Sequence, residues 1–400
     1  MHHHYTLRLR GLLACALASA AGTASAAEWA DGDITAELSG RIHWDFARFD
    51  NDNRGEPNRN DTEFRRIWLD VSGKFYGFGY KIEGDFAGLQ DEPGNKGIEA
   101  KDIYITRAFG NAGTLSVGQF KQYFSLDDRT GSNYGQFLER SDAATTLAPL
   151  YRKAVSWQAA HQDYTWAASV YSLESIDVSS TKGQAIGGRA TWAPNARDGD
   201  VLHLGLSLAH EHYDHPGTDG ADALSIRPRP DGHLSDNSRI ILARFADGRD
   251  TNVDKWALEY AQVRGPLSWQ GEYIGGIFDD GAQRATVQSA YGFLSWFVTG
   301  ESRAYERKTG RFGRVKALNH DAGAFELALR YDRMWGHQHR IGGADLIDAS
   351  TASWTLGANW YLKPNLRLML DLVDSRNRDY LAGTTLDHTR AVIGRIHYDF

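Results

Sequence analysis

From Ile34 to Phe46 apolar and polar residues alternate without a break. Ile34, Ala36, Leu38, Gly40, Ile42, Trp44 and Phe46 fall on one face, and Glu37, Ser39, Arg41, His43 and Asp45 on the other. Side chains of an extended chain point to opposite sides in turn, so strict period two marks a strand with one apolar and one polar face. The dyad returns at Leu202, Leu204, Leu206 and Leu208, at Phe325, Leu327, Leu329 and Tyr331, at Leu366, Leu368, Leu370 and Leu372, and at Val392, Gly394, Ile396, Tyr398 and Phe400. A soluble sandwich also alternates. These segments, however, are about as long as a tilted membrane-spanning strand of 9–11 residues, against a usual ~5–6 in soluble sheets. Trp44, Phe46, Trp192, Trp256, Tyr260, Trp354, Trp360 and Tyr398 lie near segment ends, as interfacial girdles require. The pattern predicts an all-β fold, a transmembrane antiparallel β-barrel.

The N-terminus predicts export. Arg8 and Arg10 precede a short run of small and apolar residues from Gly11 to Ala21, and Ala24-Ser25-Ala26 offers a small-x-small cleavage pattern. Residues 1–27 are therefore expected to be a signal peptide cut before Ala27 or Glu28, and 28–400 a single barrel. Losing Arg8, Arg10 and Cys15 leaves 42 basic and 51 acidic residues and no cysteine. An acidic chain lacks the basic excess of a nucleic-acid binder. An exported chain without disulfides needs another source of cohesion, which barrel closure supplies.

Strand number follows from parity. Seventeen extended segments run from 34–47 to 389–399, and single-chain bacterial barrels have an even count. The tight turns 76–79, 110–113, 161–163, 264–266 and 363–364 fall on one side only if 239–245 joins a long connection, 213–252. The expected barrel has 16 strands, including 322–334 and 353–362, and a size that leaves an aqueous lumen. The connection 122–152 is expected to fold inward and set the pore width, and 300–321 is the long connection on the turn side.

Several short motifs in consistent order then resemble the phosphate-selective porin O and P family. They include Glu63-Phe64-Arg65-Arg66, Gly79 to Ala87, Val117-Gly118-Gln119-Phe120-Lys121, Phe137-Leu138-Glu139-Arg140-Ser141, Gln270-Gly271-Glu272-Tyr273, Arg307-Lys308-Thr309-Gly310, Phe312-Gly313-Arg314-Val315-Lys316 and Asn359-Trp360-Tyr361-Leu362. The resemblance covers essentially the whole mature chain. It implies a passive porin of the bacterial outer membrane, generally a homotrimer, that passes anions such as phosphate or polyphosphate along a basic lining. Rings of Arg and Lys serve anion pores because a dehydrating anion needs positive charge and donors. Arg66 shares its face with Asp70, Ser72 and Lys74 and reads as luminal, whereas alternation alone puts Arg65 on the other face; the family motif brings it in. Lys121 and Arg140 belong to the inward loop, Arg227, Arg229 and Arg239 to the 213–252 connection, and Arg307, Lys308, Arg314 and Lys316 to the turn-side one. One departure stands out: Ser132-Asn133-Tyr134 occupies the stretch where phosphate-selective members carry a Lys, which implies weaker binding of a small dianion.

Bland readings compete with these assignments. Surface basics can bridge lipopolysaccharide phosphates in the surrounding outer-membrane lipid, and Arg140 beside Glu139 can simply be paired. A general or sugar porin, a secreted adhesin and an outer-membrane barrel enzyme are the rival functions. The chain has neither a Gly-x-Ser-x-Gly elbow nor an HExxH motif, which argues against the enzyme. His210-Glu211-His212 with Asp214 and His215 is the densest ligand-like cluster, and incidental surface histidines explain it. No metal or cofactor is expected.

Overall fold

In a computed structural model, described for residues 27–50, 58, 60–90, 97–217, 223–235, 239–316 and 321–400, the alternating segments close into one antiparallel barrel. The signal peptide expected at residues 1–27 lies, but for Ala27, outside the described residues. We number the barrel strands β1 (Ile34–Asp50), β2 (Asp61–Phe75), β3 (Phe78–Asp85), β4 (Glu99–Ala108), β5 (Thr114–Lys121), β6 (Tyr151–Ala160), β7 (Tyr164–Ser172) and β8 (Lys182–Trp192). Then follow β9 (Asp200–Asp214), β10 (Thr251–Arg264), β11 (Leu267–Asp279), β12 (Gln283–Phe297), β13 (Ala324–Arg340), β14 (Asp345–Lys363), β15 (Leu366–Asp379) and β16 (Thr384–Asp399). Each pairs with its sequence neighbours, and β1 closes on β16. At the seam the Phe400 and Gly40 backbones exchange two hydrogen bonds of 3.0 Å, so no edge is left unpaired there.

Alternation sorts the two faces as in a membrane barrel, with the apolar set outside. On β13 Phe325, Leu327, Leu329 and Tyr331 are 37–46% exposed, whereas Glu326, Ala328 and Arg330 are buried inside. The ring pairs Phe325–Trp360 and Tyr331–Trp354 lie 5.1 and 4.8 Å apart. They are six residues apart on β13, about 20 Å at 3.3 Å per residue, close to the height of an outer-membrane apolar band. Segment 239–245 is outside the barrel: Ala243–Phe245 pairs with Leu224–Ile226 in a small ribbon. The strands expected at 322–334 and 353–362 run on to Arg340 and back from Asp345. Their alternation fades there because above the apolar band the outer face has no reason to be apolar, while the backbone ladder continues.

The expected tight turns gather at one end, where residues 298–323 also join β12 to β13; the other end carries the long connections 122–150 and 215–250 together with the short ones 280–282, 341–344 and 380–383. Three connections fold into the lumen. Residues 122–150 carry two short helices, Leu126–Arg129 and Asp142–Thr146, capped by the Ser125 and Ser141 hydroxyls. Leu126, Ala143, Ala144 and Leu147 are fully buried. From the 213–252 connection Ile226, Leu242 and Phe245 pack on Val253, Ile274, Phe278, Val287 and Met334 of the wall. From the turn end Tyr305 and Phe312 pack against Leu126, Val201 and Val263. These inward-folded connections narrow the lumen expected from the strand count: one side is an apolar core, because β10–β13 present apolar residues inward there. The cavities of the lumen lie along β2–β6.

Gly336 makes part of that packing possible, since a Cβ there would sink into the Leu242 carbonyl oxygen. Gly336→Val should push the 239–245 segment off the wall and open a protease-sensitive site within 213–252. Undiminished protease resistance in proteoliposomes would contradict this docking.

Candidate functional site, a charged passage along one wall

Two lumen cavities, of about 290 and 440 Å³, follow the β2–β6 wall. The first reaches the loop end past Arg65, Arg66 and His233; the second reaches the turn end past Thr106, Thr114 and Arg311. They share Trp68, Lys121, Asp128, Arg140 and Tyr151, which form the junction between them. Nine Lys and Arg side chains face seven carboxylates along the two cavities, reversing the acidic balance of the chain as a whole.

The inward loop is held to the far wall by its backbone. Leu126 and Asp127 N–H donate to Glu272 (2.9 and 2.8 Å), Leu138 N–H to Asp371 (2.9 Å), and Asp142 N–H to Asp332 (2.8 Å). Wall arginines reach the loop carbonyls: Arg395 to Leu138 (2.6 Å), Arg330 to Glu139 (3.0 Å) and Arg367 to Gly135 (2.7 Å). Glu139 is the electrostatic centre. Arg65 Nε and Arg395 Nη2 lie 2.9 Å from its carboxylate and Arg66 Nη2 3.6 Å. Burial alone would raise the Glu139 carboxyl, but those three guanidiniums outweigh it and hold it well below the usual carboxylate range. The Asp142 carboxyl goes the other way, pushed well up by burial and by the facing Asp332 carboxylate.

Arg65 and Arg66 both point inward because β2 bulges. His43 pairs with Arg66 and Trp44 with Phe64, which leaves Arg65 without a ladder partner and resets its side. A second irregularity pairs Ile82 with Ile103 but Gly84 with Ala100. Lys101 and Asp102 consequently both reach the passage.

Lys121 Nζ binds the Asp128 carboxylate (2.6 Å) and the Asp128 carbonyl (2.8 Å). Arg140 donates instead to the carbonyls of Asp127 (2.8 Å) and Thr130 (2.7 Å). Among the described residues no carboxylate lies within ion-pair distance of Arg140, so its charge is left for the passage. Pairing with Glu139, the bland alternative, is not what the fold makes.

The remaining sequence candidates lie outside both cavities. Arg227 is exposed at the loop end, with its carbonyl accepting from Arg239 (2.8 Å). Arg229 presents its backbone N–H to Asp142. At the turn end Arg307 donates to the Gln162 carbonyl (2.7 Å) and pairs with Asp163 (3.2 Å), while Lys308 and Lys316 are exposed. Arg314 pairs with Asp399. Arg303 stacks 3.5 Å over Phe312, and burial lowers its pKa to about 10. In the histidine cluster Glu211 turns inward to Lys255 (2.7 Å), while His212 stays near Asp214 (3.4 Å) and Asp250 (3.9 Å) at the loop end.

Sequence reasoning passed over Arg41, Lys81 and Lys101 as passage residues. Lys81 could have been found from parity with Glu83 and Asp85; Lys101 could not, since the ladder irregularity sets its side.

Comparison with known proteins gives the same architecture. Residues 37–400 match the family described as Phosphate-selective porin O and P. Porin O of Pseudomonas aeruginosa is 25% identical over 400 residues, covering 92% of this chain and 89% of that protein. Among solved structures, the trimer form of OmpT, an outer membrane protein of Vibrio cholerae, superposes with a TM-score of 0.58 at 10% identity, covering 92% of this chain and 99% of that one. An anion-selective porin from Comamonas acidovorans gives 0.57 at 13% identity, covering 92% and 100%.

Proposed function

The chain belongs to the phosphate-selective porin O and P family, channels of the outer membrane rather than enzymes, and we propose that it forms a passive, anion-preferring, water-filled pore for small inorganic anions, phosphate or polyphosphate among them. Arg140 carries this reading: a cation without a carboxylate partner, at the junction every solute on this path must pass. Arg65 and Arg66 stand before it on the loop side and Lys121 beside it, a series of moderate sites rather than one deep well. Conduction needs that arrangement, because the ion must leave as well as enter. No cofactor takes part. The trimer form of the Vibrio neighbour and the anion selectivity of the Comamonas neighbour support a homotrimer and an anion preference.

Reversal potentials in planar bilayers under a potassium chloride gradient test the reading. Anion preference is expected, with a decrease on Arg66→Ala; cation preference in the unaltered protein would overturn it. Phosphate block of the chloride current then distinguishes phosphate from generic anions. Trp68 and Tyr151 at the junction favour a second reading, a general or sugar porin, since aromatic surface suits a sugar ring. Liposome swelling in neutral sugars at rates set by size alone, with no phosphate block, would favour that reading.

A further inference from the structure

The charges of the passage are not evenly mixed. On the β3–β4 side Lys81 sits among Glu83 (2.8 Å), Asp102 (3.7 Å) and Asp70 (3.9 Å). Lys101 likewise sits between Glu99 (2.7 Å) and Asp85 (3.9 Å). Of these carboxylates Glu83, Asp102, Glu99 and Asp85 line the cavities, and against Lys81, Lys101 and Arg41, which approaches Glu83 at 3.8 Å, the wall keeps one negative charge in excess. The inward loop shows the opposite balance. Lys121 is matched by Asp128, but Arg140 has only carbonyl partners, and so does Arg129, which donates to the Lys121 carbonyl (2.6 Å). Glu139 is outnumbered by Arg65 and Arg66.

We propose that this passage favours dipolar solutes, anions that also carry an ammonium group, such as amino-phosphates and amino acids, over plain anions of the same size. The inference rests on the pore reading above. Arg140, Glu83 and Asp102 line the same cavity, so the phosphate of a solute can turn to Arg140 while its ammonium turns to the carboxylate side. A simple dianion finds the same attraction from one side and repulsion from the other. A field directed across the path orients a dipole and also sets the face it presents to each wall.

Aminoethyl phosphate and ethyl phosphate test this, since they differ chiefly in the ammonium. Both would be titrated as blockers of chloride current through the full-length protein in planar bilayers at low salt. The expected half-blocking concentration is about five-fold lower for aminoethyl phosphate, the equivalent of one charge contact of about 1 kcal/mol across 4 Å of water. The preference should vanish in Glu83→Gln with Asp102→Asn, or shrink in Asp102→Asn alone if the double variant does not assemble. Persisting chloride conductance and heat-modifiable migration would show that the variants fold. Equal block by both phosphates, in a pore that still prefers anions, overturns the dipole inference and leaves the anion reading standing. A preference that survives both substitutions also overturns it. Cation preference in the chloride gradient removes the reading beneath both.

Discussion

Replacing Arg395 by Ala should release the inward loop, raising single-channel conductance and lowering the thermal unfolding midpoint in detergent. The Arg395 side chain has no solvent exposure and makes four polar contacts at once. Its Nε and Nη2 reach Asp45 at 2.6 and 2.7 Å, Nη1 reaches the Leu138 carbonyl at 2.6 Å, and Nη2 also reaches Glu139 at 2.9 Å. Removing one partner of a buried pair typically costs about 3–5 kcal/mol, because the other charge stays buried and unmatched. Here Asp45 is that charge, on β1 beside the closing seam. The barrel itself should survive, since the β1–β16 ladder runs from Arg41 opposite Asp399 to Asp50 opposite Arg390 without needing the guanidinium. The loss therefore falls on the loop, which keeps its Asp371, Asp332 and Glu272 anchors but loses the clamp on Leu138 and Glu139. Arg395→Lys should recover only part, as a point charge cannot span two carboxylates and a carbonyl. Wild-type conductance and midpoint in Arg395→Ala would show that the loop is held by other contacts.

The outline of this barrel was legible because one physical demand, apolar outside and polar inside, writes itself into every strand with the same period. Strand parity even removes 239–245 from the wall, although the apolar run Ile240-Ile241-Leu242-Ala243 reads as extended. What did not show was the point where backbone geometry breaks the period. Arg65 and Lys101 enter the passage through local register shifts, and neither Phe64-Arg65-Arg66 nor Ala100-Lys101-Asp102 contains the glycine or proline that would advertise one. Arg65 was reached only through its resemblance to a family motif. The apolar half of the lumen was hidden for another reason. Ile274, Phe278, Val287 and Met334 are apolar at inward positions, and without knowing what packs on them they read as lapses in alternation. Net charge was equally uninformative by itself, because the excess that matters is the residue left after pairing, and pairing is a property of the fold.

That remainder makes Arg140→Glu the most informative substitution, and the sign of the reversal potential should change. In the native pore Arg140 presents one unneutralised positive charge where the two cavities join. Reversal changes the local charge by two units without removing a carboxylate's partner, so the loop loses only the hydrogen bonds to the Asp127 and Thr130 carbonyls. In a water-filled passage each unit acts with about 1 kcal/mol at 4 Å, and two units shift the entry of anions by about 2 kcal/mol, roughly 30-fold. Cations gain by a similar factor, so the preference should invert at 0.1 M salt. It should fade toward 1 M, where the screening length falls from about 10 Å to about 3 Å. Arg307→Glu is the matched control. Its guanidinium is spent on Gln162 and Asp163 at the turn end, outside both cavities, and the same change of charge should leave selectivity nearly untouched. A pore that stays anion-preferring after Arg140→Glu, or one in which Arg307→Glu acts as strongly, would move the selecting charge away from this junction.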